Sequence, residues 1–193
     1  MTAASRGTRV AVIWAPFAGT VVATRSRRVN LWEHAGTRRL NRLPDGLHAP
    51  LWAIMQAGSL AAPLVTAAGA ALSGHRELAG RLAGSGLSAY LLAKGVKRVV
   101  RRGRPPGVMT GVHVRGRPAS GGGFISGHAA VSMALACEAY RSLGAAGWPL
   151  PVVLAPVIGT ARVYVGAHLP LDVLGGAALG WATSRSLAVI CAG

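Results

Sequence analysis

The chain is 193 residues long and 51% apolar, with 21 Lys and Arg against 5 Asp and Glu and a formal charge of +16. That length fits a single domain over residues 1–193, and a composition rich in Ala, Leu, Val and Gly with only 13% charged residues excludes an ordinary charged soluble domain. The charge alone would suit any polyanion, but it is gathered in two clusters, Arg25 to Arg42 and Lys94 to Arg117, separated by nearly uncharged stretches, which argues against a nucleic-acid-binding module.

A helix needs about 20 predominantly apolar residues to cross the hydrocarbon core, and six segments approach that pattern. Val10 to Thr24 comes first; Arg6 and Arg9 precede it as in a signal peptide, but no small-residue cleavage site precedes Arg25, so it reads as a retained span. After the first basic cluster, Ala49 to Leu72 is an uninterrupted apolar run predicted as a second span. Leu78 to Val96 is the third, with Arg81 and Lys94 placed to snorkel. The longest polar stretch after residue 50 follows, punctuated by Gly103-Arg104-Pro105-Pro106-Gly107 and Gly121-Gly122-Gly123, where turns are expected. Gly127 to Leu143, Trp148 to Val165 and Leu171 to Cys191, the last interrupted by Arg185, complete the set. The predicted fold class is therefore all-α, a polytopic membrane protein with about six transmembrane helices. Trp32, Trp52 and Trp148 suit an interfacial belt, Glu138 is expected at the interface beside Arg141, and Cys137 and Cys191 are expected to be inert packing residues.

Alternating spans would bring three clusters to one membrane face: Lys97 to Pro105 after span three, Phe124 to His128 opening span four, and Arg162 to Asp172 joining spans five and six. Together they supply what phosphoryl transfer requires, namely positioning and neutralisation of charge on the equatorial oxygens. Lys97, Arg104 and Arg162 are the cations, arginine offering a fork to phosphate oxygens and lysine a point charge. Ser126 and Gly127 stand where a helix begins and free backbone N–H groups favour an anion. A neutral imidazole attacks phosphorus when a partner fixes its tautomer, and His168 with Asp172 has that form. Pro170 should start the last helix, leaving Asp172 in its first turn. His128 remains for the leaving-group oxygen, as general acid and then as base for water.

These clusters resemble the signature of the type-2 phosphatidic acid phosphatase superfamily, the lipid phosphate phosphatases and their relatives. That signature reads Lys, six residues, Arg-Pro; then Pro-Ser-Gly-His; then Ser-Arg, five residues, His, three residues, Asp. Lys97, Arg104 and Pro105 match the first part, Ser126, Gly127 and His128 the second, and Arg162, His168 and Asp172 the third, all at the right spacing. Ile125 stands where the family usually has Pro and Ala161 where it often has Ser, and neither change removes a phosphate ligand or proton carrier. The resemblance implies a metal-independent phosphatase with no cofactor, a phosphohistidine on His168, a general acid at His128, and phosphate binding by Lys97, Arg104, Ser126, Gly127 and Arg162. The choice of His168 over His128 as nucleophile comes from the resemblance; the residues alone leave it less sharply drawn.

Each feature has a plainer reading by itself. The run at Lys97 could be a juxtamembrane basic patch, and His168 with Asp172 a capping pair; their joint spacing favours the enzyme. Arg98, Arg101 and Arg102 are expected to meet lipid headgroups, and His34, His48, His75 and His113 lack partners at metal-ligand spacing. The expected partners are a lipid phosphate substrate and membrane lipids, not nucleic acid. Phosphatidic acid, phosphatidylglycerophosphate and polyprenyl phosphates or diphosphates all fit as substrates. A phosphotransferase using the same site and a non-catalytic binder of anionic lipid are the alternatives. The resemblance places the site in the cell membrane, facing away from the cytoplasm, although two external basic clusters run against the positive-inside tendency.

Overall fold

The computed structural model describes residues 3–25 and 29–191, with the side chains of 3–6 left aside. The Arg6 side chain and residues 26–28 of the first basic cluster thus lie outside what is described. Among the described residues every regular element is helical. The long helices are α1 (Ala3–Ala23), α2 (Leu31–Asn41), α3 (His48–Met55), α4 (Ala61–Leu72), α5 (Arg76–Val99), the short α6 (Pro105–Val108), α7 (Gly127–Leu143), α8 (Ala155–Tyr164) and α9 (Pro170–Cys191).

The termini are set by local chemistry. Glu77 in the first turn of α5 and Lys97 and Arg98 in its last complement the helix dipole. Ser126 caps α7, its side chain accepting the Ala129 N–H at 3.4 Å, and Gly144 at φ 59° ends it. Pro170 opens α9, where its missing N–H costs nothing, and Asp172 falls in the first turn as the sequence suggests.

α5, α7 and α9 form the centre. Ala89 and Ala93 of α5 meet Ala130 and Ala134 of α7 and Leu171 and Leu179 of α9 around Phe124 and Ile125. Small residues let the backbones approach: a Cβ at Gly176 or Gly180 would strike the carbonyl oxygens of Ser126 or Ala130. α1 lies along α9, with the Trp14 indole N–H donating to Ser186 Oγ at 3.0 Å. α4 covers α5 and α7 through Ala62, Leu82, Val131 and Leu135.

Two expectations are corrected here, those for the second span and for Cys191. The apolar run Ala49 to Leu72 is not one straight span: it breaks into α3 and α4, with Asp45–Gly58 and Ala61–Leu72 bent by 68°. The break follows from Gly58, packed so closely on the first turn of α7 that a Cβ would lie 2.6 Å from the His128 carbonyl oxygen, and from Pro63, which has no N–H to continue the ladder. Glu138 lies beside Arg141 as expected and is 1% exposed, accepting from Arg141 at 2.9 Å and from the Ser184 hydroxyl at 2.7 Å. Cys137 is buried, whereas Cys191 is exposed.

Pro170–Cys191 is long and apolar enough to cross a membrane by itself, and the bent pair passes the same test only when taken together. The segment from Trp148 to Val165 opens with a π-helical turn, Leu150–Leu154, before α8. Pro151 and Pro156 remove backbone donors there, so the turn widens.

Candidate active site

Lys97 occupies the last turn of α5, and the chain then runs extended to Arg104 before Pro105 begins α6. The Arg104 guanidinium ties two loops together: Nε donates to the Gly121 carbonyl at 3.0 Å, Nη2 to that of Ser120 at 2.9 Å and Nη1 to that of Ala167 at 2.7 Å. That leaves two of its five N–H donors for a ligand. Burial holds Arg104 below the usual guanidinium value, against the opposing pull of Asp172, without removing its charge.

Arg162, near the end of α8, is engaged differently. Its Nη1 rests against Met55 Sδ at 3.6 Å, and its Nε is buried without a partner. A buried donor of this kind costs free energy until an acceptor arrives. Lys97 feels the charges of Arg104, Arg162 and Asp172, and His128 those of Arg162, His168 and Lys97, so the three clusters predicted from sequence share one neighbourhood.

The second cluster is bonded to the third through the main chain. The Ser126 N–H donates to the Asp172 carbonyl at 2.8 Å. Ser126 is fully buried, and its Oγ accepts the Ala129 N–H, leaving its hydroxyl proton and the first-turn N–H of Gly127 for an anion.

His168 follows the turn after α8 and is 2% exposed, with Nδ1 facing Asp172 Oδ2 at 3.6 Å and no closer partner. Burial pushes its imidazole down to about 4; Asp172 pulls upward, and Lys97 and Arg162 add to the lowering. At neutral pH the ring is therefore uncharged and keeps a lone pair. Asp172 is fully buried, and its Oδ2 accepts the Leu169 N–H at 2.9 Å while its Oδ1 accepts Arg102 Nη1 at 2.8 Å.

That last bond overturns the expectation that Arg102 meets lipid headgroups. Its side chain is 10% exposed, and Nη2 donates to Glu33 Oε2 at 2.6 Å. Arg98 and Arg101 are exposed. Glu33, on α2, was not foreseen as part of the site. The sequence did hold one sign of α2, because Asn30 followed three residues later by Glu33 is a capping-box spacing, and the Asn30 N–H donates to Glu33 Oε2 at 3.4 Å.

A cleft of about 600 Å³ adjoins this cluster at Arg104, Arg162 and Ala167 and is lined also by His48, Trp52 and Arg117, whereas His128, His168 and Asp172 do not line it. The polar loop above it is fixed by Arg115, which donates to Asp45 Oδ1 at 2.7 Å and to the carbonyls of Asn41, Leu43 and Tyr164. Among the described residues no three His, Cys, Asp or Glu side chains come together as a metal-holding group.

An all-helical bundle brings a lysine, two arginines, two histidines and an aspartate into one neighbourhood, and the two arginines also line a cleft. The model of the PAP2 superfamily matches residues 78–191, and the chain belongs to that superfamily of phosphatases. It is 39% identical over 102 residues to decaprenylphosphoryl-5-phosphoribose phosphatase of Mycobacterium tuberculosis (strain CDC 1551 / Oshkosh), a match covering 51% of this chain and 54% of that protein. The chain thus spans about half the length of this curated relative. The protein of the same name from Mycolicibacterium smegmatis is 34% identical over 142 residues, 73% of this chain and 69% of that one. Two crystal structures share the fold, each with a TM-score of 0.72 and 22% identity. Aquifex aeolicus LpxE is matched over 92% of its chain and 79% of this one. The transmembrane PAP2-type phosphatidylglycerolphosphate phosphatase of Bacillus subtilis is matched over 94% of both chains.

Proposed function

We propose that this protein is a single-domain integral membrane phosphatase that hydrolyses a lipid phosphate through a phosphohistidine on His168. The names of the mycobacterial relatives favour a polyprenylphosphoryl sugar phosphate over phosphatidic acid or phosphatidylglycerophosphate. The observation that carries the reading is the buried convergence of three distant segments, in which Ser126 bonds to Asp172, Arg104 to Ala167, and His168 faces Asp172 at 3.6 Å.

Lys97, Arg104 and Arg162, with the Ser126 hydroxyl and the Gly127 N–H, hold the phosphate oxygens and offset their charge without a metal. Asp172 holds the Nδ1–H tautomer, so His168 Nε2 attacks phosphorus. The phosphorus–oxygen ester bond breaks as His128, in its imidazolium form beside the bound phosphate anion, gives its proton to the departing alkoxide. Water then attacks the phosphohistidine while His128 takes its proton, and inorganic phosphate and free His168 result.

Six membrane crossings are part of this proposal. Supporting it, Val12 on α1, Val65 on α4, Leu91 on α5, Val152 before α8 and Ile190 on α9 are 66%, 67%, 64%, 62% and 65% exposed, an apolar exterior that lipid would cover. We place the site on the extracytoplasmic face of the cell membrane, which labelling of single cysteines in the 107–119 loop of intact cells tests.

The enzymatic reading is tested by phosphate release from purified protein offered phosphatidic acid, phosphatidylglycerophosphate, polyprenyl phosphate and diphosphate, and polyprenylphosphoryl phosphoribose. Turnover is expected with the last and none with His168→Ala. Absence of release from every lipid, with phospholipid binding intact, would make the protein a binder instead.

A further inference from the structure

Behind His168 the interior holds a chain of charges that the three motifs do not contain. Glu33 is fully buried, and its Oε2 accepts Arg102 Nη2 at 2.6 Å while its Oε1 accepts the Leu171 N–H at 3.2 Å. Arg102 spans from that carboxylate to Asp172 Oδ1, and Asp172 Oδ2 is left to the Leu169 N–H and His168. Two carboxylates thus share one guanidinium in a space nearly closed to water.

Burying three charges is an expensive way to join helices, since apolar side chains of similar volume often do so as well or better. What the arrangement supplies is control of Asp172. With Oδ1 held by Arg102, the carboxylate cannot swing about, and only Oδ2 is presented to His168. The cation keeps Asp172 ionised when positive charge develops on the imidazole during attack. Glu33 offsets most of that cation, so the field of Asp172 at His168 is not cancelled. Glu33 also grips the first turn of α9, fixing the backbone from which Asp172 projects.

Building on the phosphatase reading above, we propose that Glu33 and Arg102 are positioning residues that set the orientation and charge of Asp172 and, through it, the His168 nucleophile. They do not touch substrate. Their removal acts on the rate of phosphoryl transfer and leaves phosphate binding in place.

The test uses the full-length protein in detergent or lipid discs, with Glu33→Gln, Arg102→Lys and Arg102→Met, each also combined with Asp172→Asn. Single-turnover phosphorylation, KM for a soluble phosphate ester, inhibition by inorganic phosphate and thermal stability are measured. Glu33→Gln and Arg102→Lys should slow phosphorylation about 10- to 100-fold, the range seen when residues behind a functional ligand are changed. KM and inhibition by phosphate should stay within about twofold, an error-level change by comparison. In the Asp172→Asn background the same substitutions should have little further effect, because the group they act through is already lost.

A rise in KM and in the phosphate inhibition constant would make Arg102 a substrate ligand and overturn the proposal. Equal rate losses with and without Asp172→Asn would make the cluster a general structural element and overturn it too. If Arg102→Met does not fold, the near-isosteric Glu33→Gln carries the test. Full activity in every variant of an active wild type would sink this proposal alone, whereas a wild type that forms no phosphoenzyme would sink the reading it rests on.

Discussion

Arg104 and Arg162 flank the same cleft, yet the structure separates what each should do for stability. Arg104 donates three hydrogen bonds to loop carbonyls, and the one to Ala167 is part-buried while the other two are exposed. A charge-assisted bond of the first kind is worth about 1.5–3 kcal/mol, and exposed ones add little. Arg104→Ala should therefore cost about 2–3 kcal/mol, a fall of about 4–12 °C in Tm for a chain of this size. Among the described residues the Arg162 side chain has only a sulfur contact, and its Nε is unpaired. Arg162→Ala removes a buried donor that nothing satisfies, so Tm should hold or rise slightly. Both changes should lower kcat/KM by about 100- to 1000-fold, the usual loss of a transition-state anion donor. Thermal unfolding in one detergent and phosphate-release kinetics on the same preparations give both quantities. A Tm that falls for Arg162→Ala and not for Arg104→Ala would refute the assignment of these hydrogen bonds.

Activity should persist in excess EDTA, because the proposed mechanism neutralises phosphate charge with three side-chain cations; loss restored by a divalent ion would contradict this. Gly180→Val should destabilise by about 1–3 kcal/mol, since its Cβ would meet the Ala130 carbonyl oxygen, whereas Gly69→Ala, with nothing within 4 Å, should be neutral or stabilising in the same melts. The pH dependence of stability follows from His168, whose value falls from 6.5 unfolded to about 4 folded. Between those values the unfolded chain binds more protons, so stability drops as pH falls from about 6.5 to about 4, by on the order of 3 kcal/mol. His168→Asn should flatten that part of the Tm profile, and an unchanged slope would show that other groups set it.

The sequence already pointed to the helices that build the centre. Gly127 to Leu143 was delimited correctly because Ser126 is a strong cap and Gly144 a strong stop, and Pro170 announced α9 in the same way. The motif residues were legible because their chemistry repeats at fixed spacing in short stretches of chain. What stayed hidden depends on distant contacts. The break after Gly58 arises from that glycine pressing on His128, a pairing that apolar periodicity does not encode. Arg102 looked like its exposed neighbours Arg98 and Arg101, and only the fold brings Glu33 to it across 69 residues. Glu138 likewise finds Ser184 across 46 residues, a partner that its own stretch of sequence does not announce. α2 is hard to read from sequence because its polar, arginine-rich residues resemble a solvated loop.

The division of labour between the two histidines is the most direct test of the proposed mechanism. Brief exposure of wild type, His168→Ala and His128→Ala to radiolabelled substrate, followed by rapid quench, reports whether an acid-labile, base-stable phosphoryl group is attached to protein. We expect label on wild type and none on His168→Ala. With a good leaving group such as p-nitrophenolate, label should form and persist on His128→Ala, which lacks both the proton donor that such a group does not need and the base that activates water. Label retained by His168→Ala and lost from His128→Ala would reverse the two roles, and no label on any form would replace the covalent route with direct attack by water.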